Sequence, residues 1–144
     1  MLRLSKKVEY ALIALLHISC LKQDEVVTTR ELSENYHIPQ ELLGKVLQRL
    51  AKAGFIRSIQ GVKGGYHLEK PLDKVSMDQI ILAVDGSLKI VNCAEHVKQC
   101  NCQQKDFCII KDPMDIIQQK LETFFRTITL KDLKEEMERE TSIV

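Results

Sequence analysis

The cysteines are the residues of this sequence most suited to chemistry. Four of the five fall in one polar stretch, as Cys93, Cys100, Cys102 and Cys108. A hydrophobic core uses cysteine singly, as a small apolar side chain, so several thiols among polar neighbours indicate metal ligation. Soft thiolates favour iron–sulfur clusters, zinc or cuprous copper. We therefore predict that this stretch holds an iron–sulfur cluster.

Length and composition favour one ordinary globular domain, or a small domain with an extension. The chain has 144 residues, of which 44% are hydrophobic and 28% are charged, and this balance argues against disorder. Residues 1–70 carry 11 Lys and Arg against 7 Asp and Glu, whereas residues 71–144 carry 10 against 13. A basic first half suits a surface that binds a polyanion.

The sequence predicts a cytoplasmic protein without a membrane span, because no apolar run reaches the ~18 residues that a span needs. Glu9 and His17 interrupt the first apolar run and no small-residue cleavage site follows, so we expect no signal peptide. Cytoplasmic thiols stay reduced, which favours metal or redox chemistry over disulfides. Catalysis is not expected, since the sequence has no nucleophile elbow, phosphate loop or Cys-x-x-Cys pair.

Capping residues predict where the first helices begin. Ser5 can cap a helix over residues 5–21, whose apolar residues recur at helical spacing. Cys20 lies at its apolar end and is expected to be a buried core thiol. Thr28 and Glu31 form a capping box, which predicts a short second helix that ends near His37.

A third helix should begin at Pro39. Its predicted apolar stripe is Leu42, Leu43, Val46, Leu47 and Leu50, and its outer face is Gln40, Glu41, Gly44, Lys45, Gln48, Arg49 and Lys52. A short helix, a tight turn and a helix with a polar outer face are typical of a helix-turn-helix. Two short strands, 55–59 and 65–69, follow around a glycine-rich turn, which makes the unit a winged helix. The alternative is a plain αβ domain of three helices and a hairpin.

The second half predicts three more helices. Residues 76–84 form one, Asp112 and Pro113 begin another, and residues 129–140 form a charged last helix. The middle helix carries an apolar seam of five residues, and this seam needs a partner helix, either in cis or across a dimer. Its residues are Met114, Ile117, Leu121, Phe124 and Ile128. The predicted fold is thus mostly α with a small β-hairpin wing. We divide it into a DNA-binding winged helix-turn-helix (1–72), a post-wing helix and connector (73–90), a cluster-binding segment (91–111), and a long dimerisation helix with a C-terminal helix (112–144).

Several motifs, in order along the chain, resemble the IscR/NsrR/RsrR family of bacterial winged-helix transcription regulators. Arg3-Leu-Ser-Lys-Lys-Val-Glu-Tyr-Ala-Leu12 is similar to the first helix of that family. Gly61-Val-Lys-Gly-Gly-Tyr-His-Leu68 is similar to its Gly-x-x-Gly-Gly-Tyr-x-Leu wing. Ile80-Ile-Leu-Ala-Val-Asp-Gly86 and Thr129-Leu-Lys-Asp-Leu133 resemble the segments after the wing and after the long helix.

The resemblance implies a homodimer that binds a pseudo-palindromic double-stranded DNA operator, one winged helix to each half-site. It implies that the third helix enters the major groove and the wing probes the minor groove. Base edges would be met by Gln40, Glu41 and Lys45, phosphates by Thr28, Thr29 and Arg49, and the minor groove by Gln60 and Lys63.

The resemblance also implies the cluster ligands, Cys93, Cys102 and Cys108. Cys100 departs from the family pattern and is an alternate ligand, a fourth ligand or spare. The fourth ligand implied for sensors of this kind is Glu9 of the partner subunit, ahead of His37 and the loop residue His96. A two-iron and a four-iron cluster both fit, and so do redox state, nitric oxide or cluster status as the signal. The competing interpretation is the same regulator with zinc or bare redox thiols, and an enzyme is the least favoured.

Overall fold

The structure is a computed structural model and describes residues 2–91, 93 and 101–143. Six α-helices and one β-hairpin occupy these residues, with short 3-10 helices at Leu72–Lys74 and Lys105–Phe107. In chain order the elements are α1 (Lys6–Ser19), α2 (Thr29–Tyr36), α3 (Gln40–Lys52), β1 (Ile56–Ile59), β2 (Gly65–Leu68), α4 (Met77–Asp85), α5 (Lys111–Thr127) and α6 (Leu130–Ile143). None of the described helices is long and apolar enough to cross a bilayer.

The first helices begin at their predicted caps. The Ser5 hydroxyl accepts from the Val8 amide, at 3.4 Å. The Thr28 hydroxyl accepts from the Glu31 amide at 3.1 Å, and the Glu31 carboxylate accepts from the Thr28 amide at 2.7 Å. This capping box satisfies amides that the first turn of α2 leaves without partners. His37, in the left-handed region at φ 53°, ends α2.

The wing is an antiparallel pair in which Ile56 lies opposite Leu68 and Ile59 opposite Gly65. A Cβ atom added at Gly64 would lie 2.3 Å from the Ile59 carbonyl oxygen, so only glycine fits there. Val27 and Tyr66 exchange two backbone hydrogen bonds, at 3.1 and 2.8 Å, which fix the wing to the connector before α2. The order of helix, helix-turn-helix and hairpin confirms the predicted winged helix.

One hydrophobic core joins the winged helix to the C-terminal part of the chain. Leu15, Leu47 and Ile80 are fully buried in it, and so is Leu130 at the start of α6. Two backbone hydrogen bonds of 2.8 Å, Met77 N–H to Ile128 O and Leu130 N–H to Val75 O, hold the α6 start beside the α4 start. The chain thus leaves the core after α4 and returns at α6. The domain boundaries given above remain predictions.

Thr129 and Asp132 cap α6. The Asp132 carboxylate accepts from the Thr129 amide at 2.9 Å and from its hydroxyl at 3.0 Å. These hydrogen bonds lower the pKa of Asp132 below its ordinary value of 3.8. The stabilisation by this cap is therefore fully present above pH 3.8, and is lost only as the pH falls through the lowered pKa and the carboxyl takes up its proton.

Three local predictions were wrong. Leu42 lies outside the apolar stripe of α3, with 47% of its surface exposed, because the buried stripe is centred on Leu43, Val46, Leu47 and Leu50. Cys20 is exposed, since α1 ends at Ser19 and the chain turns with Cys20 on the solvent side of buried Ile18. Helix α5 begins at Lys111, one residue before the predicted capping Asp112, and Asp112 and Pro113 lie inside its first turn, where proline needs no amide partner.

The neighbouring leucines of α3 test this register. Leu43→Ala removes a fully buried side chain and should lower the free energy of unfolding by about 2–5 kcal/mol. Leu42→Ala should lower it by about 0.5 kcal/mol or less. Urea denaturation at equal protomer concentration measures both. Equal losses in the two variants would contradict the register.

Candidate DNA interface and cysteine cavity

The N-terminal half of α3 and the start of α2 form one exposed surface. A shallow hollow there is lined by Thr29, Gln40, Glu41, Gly44, Lys45 and Gln48. The structure thus brings together four predicted DNA contacts, Thr29, Gln40, Glu41 and Lys45. The Lys45 ammonium lies 3.8 Å from the Glu41 carboxylate, with both side chains well exposed. Such a pair contributes little stability, so both groups are available to a ligand.

The other predicted DNA contacts lie elsewhere. Thr28 uses its hydroxyl to cap α2. Gln60 and Lys63 are exposed at the wing turn, where Val62 projects fully into solvent. The Arg49 guanidinium donates a hydrogen bond to the Val84 carbonyl in the last turn of α4, so in this structure it is directed at another helix.

The three predicted thiol ligands line one cavity. Its volume is about 920 Å³, and Cys93, Cys102 and Cys108 share its wall with Ile90, Val91, Asn101, Gln104, Phe107, Ile109, Ile110, Lys111 and Met114. Cys93 and Cys108 are half-buried, whereas Cys102 is exposed and its thiol donates to the Gln104 side-chain oxygen at 3.3 Å. Cys100 and His96 lie outside the described residues.

The thiols share the cavity without forming a closed metal site. Within residues 2–91, 93 and 101–143, no three His, Cys, Asp or Glu side chains are gathered closely enough to hold a metal ion. The donor set still suits an iron–sulfur cluster, because three soft thiols face a largely apolar cavity. Ligation would therefore require the thiols to draw together.

Two of the predicted candidates for the fourth ligand, Glu9 and His37, lie away from this cavity in the same chain. The Glu9 carboxylate accepts from the Lys6 ammonium at 2.7 Å, and this hydrogen bond raises the pKa of Lys6. His37 is exposed at the end of α2. Neither residue lines the cavity, so either could reach it only from a partner subunit or after a rearrangement.

Gln118 is a structural residue that the sequence did not reveal. It is the one buried polar residue of the described chain, with 8% of its surface exposed. Its side-chain oxygen accepts from the Ile90 amide at 3.0 Å, and its side-chain nitrogen donates to the Leu88 carbonyl and, at 2.8 Å, to Glu122. Gln118 therefore fastens residues 87–91, which lead into Cys93 and which we call the stem, to α5. The only indication of this role in the sequence was the position of Gln118, a polar residue four positions after Met114.

Helix α5 has a side turned to the core and an uncovered apolar side. Gln118 and Phe125 face the core side, whereas Ile116, Ile117 and Phe124 are 55%, 42% and 56% exposed. Of the predicted seam, Ile117 and Phe124 are thus uncovered by this chain, while Ile128 packs against the core. An apolar face of this kind on a long helix is typical of a subunit interface.

A recognition helix with an open polar face, a hairpin wing and a projecting long helix define a winged-helix DNA-binding regulator. The family Rrf2, described as iron-dependent transcriptional regulators, matches residues 4–136. The chain belongs to the Rrf2 family. It is 31% identical over 132 residues to the HTH-type transcriptional regulator IscR of Photobacterium profundum, which covers 92% of this chain and 75% of that protein. These relatives are transcriptional regulators and not enzymes.

Two solved structures have the same fold. IscR of T. potens has a TM-score of 0.74 with 23% identity, over 96% of this chain and 90% of that one. CymR, the global cysteine regulator of B. subtilis, has a TM-score of 0.73 with 20% identity, over 94% and 98% of the two chains. At these identities the likeness concerns the fold alone.

The stem contacts can be tested by stability. Gln118→Ala should lower the free energy of unfolding by about 1–3 kcal/mol, because it leaves backbone groups of the stem without partners. Gln119 is the exposed neighbour and provides the control. Gln119→Ala should change the free energy of unfolding by about 0.5 kcal/mol or less. Denaturant unfolding at matched protomer concentration is the measurement. A small effect at Gln118 would show that the stem is not held there.

Proposed function

We propose that this protein is a homodimeric transcriptional regulator whose DNA binding is controlled by an iron–sulfur cluster held by Cys93, Cys102 and Cys108. The observation that carries the proposal is the placement of these three thiols on the wall of one cavity. Redox state, nitric oxide or cluster supply would be the signal.

The surroundings of the thiols suit this role. Lys111 and the amino end of α5 lie on the same wall, and their positive charge offsets that of anionic sulfurs. The side chains of Ile90, Phe107 and Ile109 make much of the wall apolar. When bound, the cluster supplies a centre that oxidation or nitric oxide can alter.

Glu9 of the partner subunit is the proposed fourth ligand. A carboxylate binds iron less tightly than a thiolate does, so it would be the ligand most readily released. Glu9 lies on α1, which packs against α3 and α4 in the winged helix. Glu9 would therefore restrain a helix that supports the recognition helix when it holds the cluster. Cys100 is the alternative fourth ligand.

A second candidate is the same regulator with bare redox thiols or zinc. Two observations favour the bare thiols: Cys102 is exposed, and the described thiols are not gathered into a ligand set. Exposed thiols of this kind can be oxidised or modified directly. The two candidates differ in colour, since iron–sulfur clusters absorb visible light and zinc does not.

The cluster proposal predicts a brown protein. After anaerobic purification or reconstitution, iron and acid-labile sulfide should be present in matched amounts with a visible absorption band. Cys93→Ser, Cys102→Ser and Cys108→Ser should each reduce the bound iron several-fold, because each removes a thiolate ligand. Iron and sulfide assays on the same samples measure this.

Cys20→Ser is the matched control, because Cys20 is exposed and does not line the cavity. It should keep full colour. A protein that is colourless and still without iron after reconstitution would contradict the cluster proposal and leave the thiol or zinc candidate.

The dimer is proposed on the uncovered face of α5. Two copies of Ile116, Ile117 and Phe124 would pair, and each subunit would place one winged helix on half of a pseudo-palindromic operator. Gln40, Glu41 and Lys45 are the proposed base contacts. Thr28 and Thr29 are the proposed phosphate contacts, and Gln60 and Lys63 the proposed wing contacts.

Charge placed in this face should separate the subunits. Ile117→Glu should convert the dimer to a monomer, because it buries an unpaired carboxylate in an apolar interface. Its operator affinity should fall about 100-fold or more, as the two half-sites are no longer bound together. Sedimentation velocity and operator titration measure the two effects. Gln119→Glu introduces the same charge on another side of α5 and should stay dimeric, and a dimeric Ile117→Glu protein would contradict this interface.

A further inference from the structure

We infer that Arg49 is a positioning residue, which ties the recognition helix α3 to the base of the stem and so transmits the state of the cysteine segment to the DNA-reading surface. The transmission step rests on the proposed function, in which a cluster controls DNA binding. The contact itself can be tested without a cluster or DNA.

The Arg49 contact satisfies a group that needs a partner. Its guanidinium donates to the carbonyl of Val84, 35 residues away and in the last turn of α4. The carbonyls of that turn have no amide partner within their own helix. A cation is also favoured there by the helix dipole. Arg49 thus caps α4 from α3.

The end of α4 leads directly to the thiols. Gly86, at φ 85°, ends the helix in a conformation that favours glycine. The stem follows, held by Gln118 through Leu88 and Ile90, and Cys93 comes two residues after it. Because the Gln118 side chain is buried, the stem cannot leave it without unpairing polar groups. In the proposed coupling, a change at Cys93 would reach the last turn of α4 through the stem and the Gln118 contacts that hold it.

A second contact at this junction is weaker. Lys7 of α1 lies 3.8 Å from Asp85, with 52% and 37% of the two side chains exposed, and an exposed pair of this kind adds little. Arg49 is different, because it serves a helix-end carbonyl and lies on the helix that reads DNA. When its donors hold Val84, the side chain is directed away from the DNA-reading hollow. The position of the α4 end thus decides how α3 and Arg49 are presented to DNA.

Operator affinity with and without the cluster tests the coupling. In the Arg49→Gln variant, the operator affinities with and without the cluster should become more similar. Their ratio should be at least threefold closer to one than the ratio in the wild type. Lys52→Gln is the matched control, since it removes the same charge from an exposed position of α3, and its ratio should equal that of the wild type. If Arg49 were only a phosphate contact, both states would lose affinity by the same factor and the salt dependence would fall by about one ion. That result would overturn the inference.

Amide hydrogen exchange of the protein without DNA or cluster gives an independent readout. Arg49→Gln should speed exchange in the last turn of α4 and in the stem by about three- to tenfold, Arg49→Lys should restore part of the protection, and Lys52→Gln should change nothing. Unchanged exchange in Arg49→Gln would overturn the inference. If wild-type protein bound the operator equally in both states, the proposed cluster control would fail and with it the transmission step, while the exchange result would still decide whether Arg49 holds the end of α4.

Discussion

Two backbone hydrogen bonds join the start of α4 to the start of α6 and so enclose the part of the chain on which the proposed control of DNA binding depends. Met77 and Leu130 each donate across this junction at 2.8 Å, and Leu130 is fully buried beside them. Helix α4 packs in the core, and the stretch from the stem to α5 leaves the core after α4 and returns at α6, so both ends of this stretch are fixed in the winged-helix core. A change in the cysteine segment is therefore not absorbed by a loose tail.

Polar contacts that would be costly to break hold the end of α4 and the stem in a defined position. Gln118 is buried and its amide is matched to backbone groups of the stem, so displacing the stem leaves several partners unpaired. Arg49 plays a similar part at the end of α4, where a carbonyl would otherwise lack a donor. Contacts of this kind favour discrete arrangements over gradual drift. This is the physical property that a two-state regulator needs.

The outer face of α5 and the hollow of α3 are proposed to serve different partners, and they are built differently. The α5 face is apolar and uncovered, as a permanent subunit interface requires. The hollow of α3 is polar and mixed in charge, as a surface that reads base edges requires.

Local chemistry in the sequence determined where the elements begin and how they turn. The Ser5 cap, the Thr28–Glu31 box and the wing glycines act within a few residues, so the first helices and the hairpin were predictable. The cysteine spacing likewise indicated one thiol site, and the structure places three of these thiols around one cavity.

Only the tertiary structure decided which face of each helix is buried and which distant groups meet. Helical spacing placed both Leu42 and Leu43 in the stripe, whereas the packing of α3 against α1 and α4 buries only Leu43 of the two. The contacts of Gln118 with the stem and of Arg49 with Val84 join residues 28 to 35 positions apart. No local rule encodes such pairs, because they exist only once the packed helices place one helix end beside another.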